Sequence, residues 1–489
     1  MVNWFRVAQR ATDTRVWLKV AIIALLLLSE AFIGMAGRGI LPLPLPPTAL
    51  MLAPLALCLA AIFLLRLELG IAVTMLAFLF PLTVFSYASF SFGVMPFLVL
   101  LLFALYLARA VVKERRFALS APGSLPLLLL AGVSLASVAY AYAVQDPRVP
   151  HGREWSQGHW WIGYQAMGIF LFAYTWAIYI VAANGLRSKG WLWAVYACAL
   201  LVCAWVVIVP LPGYLATFRG LGQLLAGERL FESASGTAAM ILALLSLALL
   251  LYVRRPAVRL AAGLLLALSL LNLVLSYFLN TWLGFLAGAT VLLLRRSKRT
   301  FLIWLVALLL LAALGAELFM LIYQDRFSDP NQGDTLRLEI WRDTLRVWQK
   351  RPLLGVGNAN LAAYYLTYGT GRRPAWVLMG KAHPHNTYLG ILAENGLLGL
   401  ACVLWLIAAF VRALWRGMDG VADEGLQGLA AGALAVFVAG ATTAFFASGL
   451  LPIYSSGGAG AGNLDGMAFT WILYGLGVAA TRVGRWTSA

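Results

Sequence analysis

Apolar runs long enough to cross a bilayer follow one another down almost the whole chain, separated by short breaks rich in Lys and Arg. Such a pattern leaves little choice of fold. A spanning helix takes roughly 20 apolar residues, and backbone in hydrocarbon must satisfy its own hydrogen bonds. Candidate spans lie at about 16–36, 48–65, 68–87, 92–112, 121–143, 164–184, 189–211, 235–252, 257–277, 279–295, 301–323, 396–416, 427–449 and 466–484. Only 11% of the residues are charged and 62% are hydrophobic, where a soluble domain carries about 25% charge. The expectation is an all-α polytopic integral membrane protein with 12–14 transmembrane helices and a large, partly helical outer loop. The range reflects 257–277 and 279–295, between which Asn280 and Thr281 leave almost no loop.

The charge clusters test the alternation. Arg6 to Lys19, Arg66, Lys113 to Arg116, Arg187 with Lys189, Arg254-Arg255, Arg295 to Arg299, Arg412 with Arg416, and Arg482 with Arg485 fall on one side of the membrane if every span crosses. Basic loops mark the cytoplasmic side. The net charge of +17 is therefore accounted for by topology and carries no argument for nucleic acid as a partner. Cys58, Cys198, Cys203 and Cys402 lie inside apolar runs without metal-ligand spacing and read as small buried hydrophobes. The basic N-terminus lacks a convincing cleavage site and reads as an uncleaved first span.

The alternation leaves 37–47, 144–163, 212–234 and 324–395 on the outer face. The chain divides accordingly into N-terminal helices (1–143), central helices with outer loops 144–163 and 212–234 (144–323), a large outer loop (324–395) and C-terminal helices (396–489). Within the large loop, Asp334 can cap a helix from Thr335 to about Arg351, which Pro352 stops. On a helical wheel Leu338, Trp341, Leu345 and Trp348 form an apolar stripe. Arg342, Arg346 and Lys350 share a flank with Glu339 and Asp343, whereas Arg337 lies on the other flank, away from those carboxylates. After it, Gly355 and Gly357 permit tight turns and read either as a packing turn or as a weak phosphate nest.

Three features of the outer segments point to chemistry. His385-Asn386 stands where the loop re-enters an apolar run, and His383 precedes Pro384, which favours an extended backbone. Histidine changes charge near neutral pH, so His385 is the candidate proton acceptor, with His383 and Asn386 in support; an interfacial histidine bonded to a carbonyl is the plainer reading. Arg219, Arg229 and Arg337 form the second feature, because guanidinium binds phosphate oxygens through a planar fork. Arg229 reads alternatively as an interfacial anchor beside Glu228 or Glu232. The third is the carboxylate pattern: there is no D-x-D, and Asp325, Asp329 and Asp334 are scattered. A divalent ion held on a pyrophosphate needs clustered oxygen ligands, so metal-free chemistry is expected, with no metal site and no cofactor.

The run His385-Asn386, Gly396 and Gly399, preceded by Arg337–Trp341 and Pro352–Gly357, resembles the O-antigen ligase/polymerase superfamily, and within it the ligases. The resemblance covers roughly residues 215–450. It implies a metal-independent, inverting membrane glycosyltransferase acting at the periplasmic face of the Gram-negative inner membrane. The implied donor is O-antigen polysaccharide on undecaprenyl pyrophosphate, and the implied acceptor is a hydroxyl of lipid A-core. By motif position His385 takes the place of the family's essential histidine, Arg337 that of the large-loop arginine, and Arg229 that of the earlier arginine, with Arg219 a poorer match. Two departures stand out: Asn280-Thr281 where many relatives carry Ser-Arg, and a span count above the usual twelve. O-antigen polymerase, a protein O-glycosyltransferase and a lipid or sugar transporter remain as alternatives.

Overall fold

The computed structural model describes residues 63, 66–79, 83–87, 90–111, 118–149, 161–218, 220, 233–276, 278–328, 334–370, 384–447, 450–451 and 461–486. Helix α1 (Leu67–Leu76) leads through a 3-10 turn into a hairpin of β1 (Thr83–Tyr87) and β2 (Phe90–Gly93), antiparallel with Tyr87 opposite Phe90. Helices α2 (Val94–Arg109), α3 (Ser124–Ala143), α4 (Trp161–Gly185), α5 (Lys189–Ile208) and the short α6 (Leu211–Thr217) follow. Then come α7 (Ser233–Tyr252), α8 (Pro256–Ser276), α9 (Leu279–Arg296) and α10 (Lys298–Ser328). The outer loop contributes α11 (Asp334–Lys350) and α12 (Leu361–Tyr368), and α13 (Thr387–Gly417), α14 (Glu424–Thr443) and α15 (Ala461–Trp486) close the chain.

Among the described residues 9 helices are long and apolar enough to cross a membrane, and Leu67–Leu79 and Met95–Arg109 are shorter apolar helices. The architecture is that of an all-α polytopic membrane protein. The expected span 16–36, and 48–65 apart from Phe63, lie outside the described residues. Every later span has a helix in its place, with two corrections. The span 68–87 ends early: the helical turns stop at Leu79 just before Pro81, which cannot donate to a helix, and the β-branched and aromatic run after it pairs as a strand. The span expected to start at 396 begins at Thr387 and bends at Gly396. The doubtful pair resolves into separate helices, because extended Phe278 (φ −95°, ψ 98°) breaks the run ahead of Asn280.

Trp471, Tyr179, Tyr474, Phe410 and Phe437 are fully buried at the centre. Phe410 stacks on Phe437 with centroids 4.1 Å apart, and Tyr179 meets Trp471 edge-on at 5.5 Å. Gly284 and Gly288 of α9 face the α14 backbone so closely that a Cβ would come within 3.2 Å of the Ala439 oxygen and 2.7 Å of the Ala435 oxygen. Small residues four apart let two helices approach in lipid, where packing rather than the hydrophobic effect drives association. At the periphery Leu260, Leu309 and Leu314 are exposed, as a surface facing lipid allows.

Among the described residues, the basic clusters at 187–189, 254–255, 295–299, 412–416 and 482–485 meet at one end of this bundle. Arg254 forks onto Glu424 at 2.6 and 2.9 Å, Lys189 pairs with Asp423, and Arg295 pairs with Asp419. Arg482 donates to Asn184 Oδ1 at 2.9 Å, and Arg485 to the Gly417 carbonyl at 3.2 Å. The opposite end collects segments expected on the outer face: Arg351 donates to the Val144 carbonyl and Tyr368 to Asp146.

Candidate functional site

The loop helix α11 runs from Asp334 to Lys350, within a residue of its expected limits. Its buried face differs from the expected one. Ile340, Asp343, Thr344 and Val347 are turned inward, while Leu338 is 58% and Leu345 38% exposed. The wheel shows which side chains share a face, but the neighbours decide which face is covered. Here they offer hydrogen bonds: Asp343 accepts from Arg346 Nη1 at 2.7 Å and from the Thr370 amide at 3.1 Å. The expected pairing of that arginine flank with Asp343 is thus present. Trp341 and Trp348 are half-buried and each spends its indole N–H on a proline carbonyl, Pro384 at 2.8 Å and Pro352 at 3.1 Å.

The turn after α11 is spliced into α13. Gly396 has φ +68°, and its neighbours bond outward: Leu397 N–H donates to Pro352 O at 2.9 Å and Leu398 N–H to Leu353 O at 3.3 Å. In return Val356 N–H donates to Ala393 O at 2.9 Å and Gly357 N–H to Glu394 O at 3.0 Å. Gly355 N–H is taken by Arg351 O at 2.9 Å. With these amides engaged, Gly355 and Gly357 form a packing turn, and no phosphate nest is open there. Gly396 admits the backbone of the turn, since a Cβ on it would strike the Leu353 carbonyl. The nearest atoms to a Cβ on Gly399 belong to Asn395 and Ile391 of its own helix.

Beneath the turn lies a buried polar girdle. Glu394, 6% exposed, accepts the Ala359 amide at 3.0 Å, and Ser137 donates to the Glu394 carbonyl at 2.7 Å. Asn395 donates to Asn358 Oδ1 at 2.6 Å and to Ser134 Oγ at 3.1 Å, and Gln165 donates to Asn360 Oδ1 at 2.9 Å. These bonds fix the turn against α3 and α4, and buried polar groups are costly unless paired in this way.

His385 stands on a peptide held from both sides. Pro384 is buried and its carbonyl takes the Trp341 bond; Asn386 is buried and caps α13 by accepting the Leu389 amide at 3.0 Å. Thr387 then donates its N–H to Ala444 O at 2.8 Å and its hydroxyl to Ala447 O at 2.9 Å. Between these anchors His385 adopts φ +50° and is exposed. A non-glycine residue in the left-handed region costs free energy and persists where its surroundings dictate it. The protein packed around the ring, and secondly the Arg337 guanidinium, hold the His385 pKa below its ordinary value of 6.5. The neutral imidazole, the form able to accept a proton, is therefore favoured near neutral pH. Arg337, half-buried on α11, thus acts electrostatically on the ring of His385 from across the loop.

Of the residues singled out in the sequence, Arg337, His385 and Asn386 come together here. His383, Arg219 and Arg229 lie outside the described residues. Two further buried acids, Glu394 and Asp465, were not singled out from the sequence. Asp465 lines a cavity of about 670 Å³ that is also lined by Trp205, Tyr214, Ser235, Thr443 and Ala447. Because Ala447 accepts from Thr387, cavity and histidine segment share a wall. The cavity also reaches the start of α7 at Ser235 and Thr237, a short way after Arg229 in the chain. Among the described residues no three His, Cys, Asp or Glu side chains are grouped to hold a metal ion.

Residues 264–404 match the family model described as O-antigen ligase. A stretch of 98 residues is 35% identical to an O-antigen ligase of Pseudomonas aeruginosa. That match covers 20% of this chain and 21% of the relative, so the chain aligns with about a fifth of the relative's length. Both comparisons support the family that the motif resembles, and the matched segment contains both Arg337 and His385.

Proposed function

We propose that this membrane protein, supported by its matched segment as a member of the O-antigen ligase family, is a metal-independent, inverting glycosyltransferase. In this reading it moves O-antigen polysaccharide from undecaprenyl pyrophosphate to a hydroxyl of lipid A-core, at the periplasmic face of the inner membrane. The observation that carries the reading is His385: exposed, fixed on both sides, and kept neutral partly by Arg337. The gathering of the described basic clusters, from Arg187 onward, at the opposite end supports the orientation, since basic loops remain cytoplasmic.

The neutral His385 ring removes the proton from the acceptor hydroxyl as its oxygen attacks the anomeric carbon. The bond from that carbon to the pyrophosphate oxygen breaks, inverting the centre and releasing undecaprenyl pyrophosphate. Arg337, with Arg229 from the earlier loop and Arg219 as a further candidate, holds the pyrophosphate and stabilises its growing charge. These guanidiniums do the work that a divalent ion performs elsewhere. Asn386 fixes the helix start and so the direction of the histidine peptide, and His383 is assigned support.

The test is transfer in a reconstituted membrane with purified lipid-linked glycan and lipid A-core, comparing parent with His385→Ala. General-base assistance is worth roughly 10²–10⁴-fold, so the variant should lose at least about 100-fold in turnover while still binding donor. Substituting a second lipid-linked glycan or a protein as acceptor separates ligase from polymerase and from protein glycosyltransferase. Persistence of full transfer in His385→Ala sinks the assignment; lipid movement without glycan transfer favours a transporter.

A further inference from the structure

The protein leaves the leucine row of α11 uncovered. Leu338 and Leu345 are exposed on the side opposite Ile340, Asp343 and Val347, and exposed Leu353 continues the row past the end of the helix. Trp341 and Trp348, half-buried, border it on the same helix face. Two helix lengths set the depth of this row in the membrane. The part of α13 beyond its bend, 397–417, is about 30 Å long at about 1.5 Å per residue. So is α14, with 20 residues. Each matches a hydrocarbon core roughly 30 Å thick, and each has its other end among the basic clusters, Gly417 on Arg485 and Glu424 on Arg254. Leu397 and Thr443 therefore mark the outer limit of the hydrocarbon. Leu397 N–H bonds Pro352 O, which also takes the Trp348 indole at 3.1 Å. Thr387 is bonded just past Thr443, to Ala444 O and Ala447 O, and nearby Pro384 takes the Trp341 indole at 2.8 Å. Trp341 and Trp348, about two turns apart, are thus tethered at one level. The helix lies along the boundary and does not stand out from it.

We propose that α11 is an interfacial anchor, with Leu338, Leu345 and Leu353 inserted among the acyl chains of phospholipid in the outer leaflet. Amphipathic helices of this kind bury their apolar face about 5–10 Å into the headgroup boundary, and tryptophan favours that depth. The occupant is lipid because the uncovered row continues onto a spanning helix. The Leu353 carbonyl takes the Leu398 amide, and Leu397, Leu398, Leu404 and Trp405 form the exposed side of α13 that faces the bilayer. Arg342, exposed beside the row, extends its long side chain to the phosphates. The anchor stands on the fold alone and requires no transferase. It also carries Arg337, which neighbours Trp348 around the helix, to the depth of a lipid-borne phosphate.

The experiment uses the full chain, without substitutions, in nanodiscs of phosphatidylethanolamine and phosphatidylglycerol. Two phosphatidylglycerol probes carry a diazirine, one high on the acyl chain beside the glycerol and one at the chain's end. After photolysis, the labelled residues are located by mass spectrometry. The shallow probe should label Leu338, Leu345 and Leu353 several-fold more than the deep probe does. The preference should reverse at Leu404 and Trp405, which lie about 10 Å further along α13 than Leu397. Labelling of Leu404 and Trp405 with none on 338–353 overturns the anchor, because water or other protein then covers the row. Equal labelling of the row by both probes overturns its interfacial depth and with it the proposal. Glycan transfer is measured on the same samples. The expected labelling in a protein that transfers nothing removes the ligase reading alone, and transfer without that labelling removes the anchor alone.

Discussion

The indole N–H of Trp341 donates to the carbonyl of Pro384 at 2.8 Å, tying the helix that carries Arg337 to the residue before His385. One hydrogen bond thus sets the relation between the two proposed halves of the site, the phosphate holder and the base.

Trp341→Phe should therefore reduce turnover more than it reduces folding stability. Leaving the Pro384 carbonyl without its partner costs about 1–3 kcal/mol, seen as a lower melting temperature. Trp348→Phe is the control, because it removes the equivalent bond to Pro352 away from the histidine. A smaller loss of stability, since Leu397 N–H still bonds Pro352 O at 2.9 Å, with turnover retained is expected there. Equal losses of turnover in both variants would remove any positioning role for Trp341.

The pH dependence follows from the direction of the His385 shift. Surrounding protein and then the Arg337 charge hold that pKa below 6.5, so the base stays unprotonated into mildly acidic solution. Arg337→Gln removes the second cause only. The acidic limb of turnover against pH should move to higher pH in that variant, toward the ordinary histidine value without passing it. A limb that stays in place, or moves to lower pH, argues against electrostatic contact between the two groups.

Gly396→Ala should be severely destabilising. It places a Cβ at φ +68° against the Leu353 carbonyl, combining a disfavoured backbone region, worth about 1–3 kcal/mol, with a steric clash. Gly263→Ala on α8 meets nothing within 4 Å and should be neutral or slightly stabilising, since alanine favours a helix by about 1 kcal/mol. Thermal melts of the two variants check the contrast.

Transfer should be indifferent to a metal chelator. Turnover measured with excess EDTA, and again after adding magnesium, is expected to match the untreated enzyme within error. Inhibition by EDTA that magnesium reverses would falsify the assignment of pyrophosphate stabilisation to arginine.

Much of this was legible in the chain itself, and the misses have physical causes. Asp334 and Pro352 mark the ends of α11 because capping and proline chemistry are local. The buried face of α11 is not local: it depends on partners such as Thr370 and Pro384, so the leucine stripe misled. Residues 83–87 are apolar and β-branched in a way that serves a spanning helix or a strand equally well over so short a run. Gly396 and Gly399 have the spacing of a helix-packing pair, and only the backbone reveals that Gly396 is a bend. Asp465 was missed because a hydropathy window begins its span one residue later, at 466, which leaves an inward-facing acid looking like loop. His385 and Arg337 were found because their residue types are chemically costly at a membrane boundary. Their electrostatic contact came only with the fold.

Thr387 spends both of its donors on the stretch that follows α14, and that same stretch closes one side of the hollow beside Asp465. A displacement of that stretch would therefore reach both the wall of the hollow and the start of the helix that follows His385.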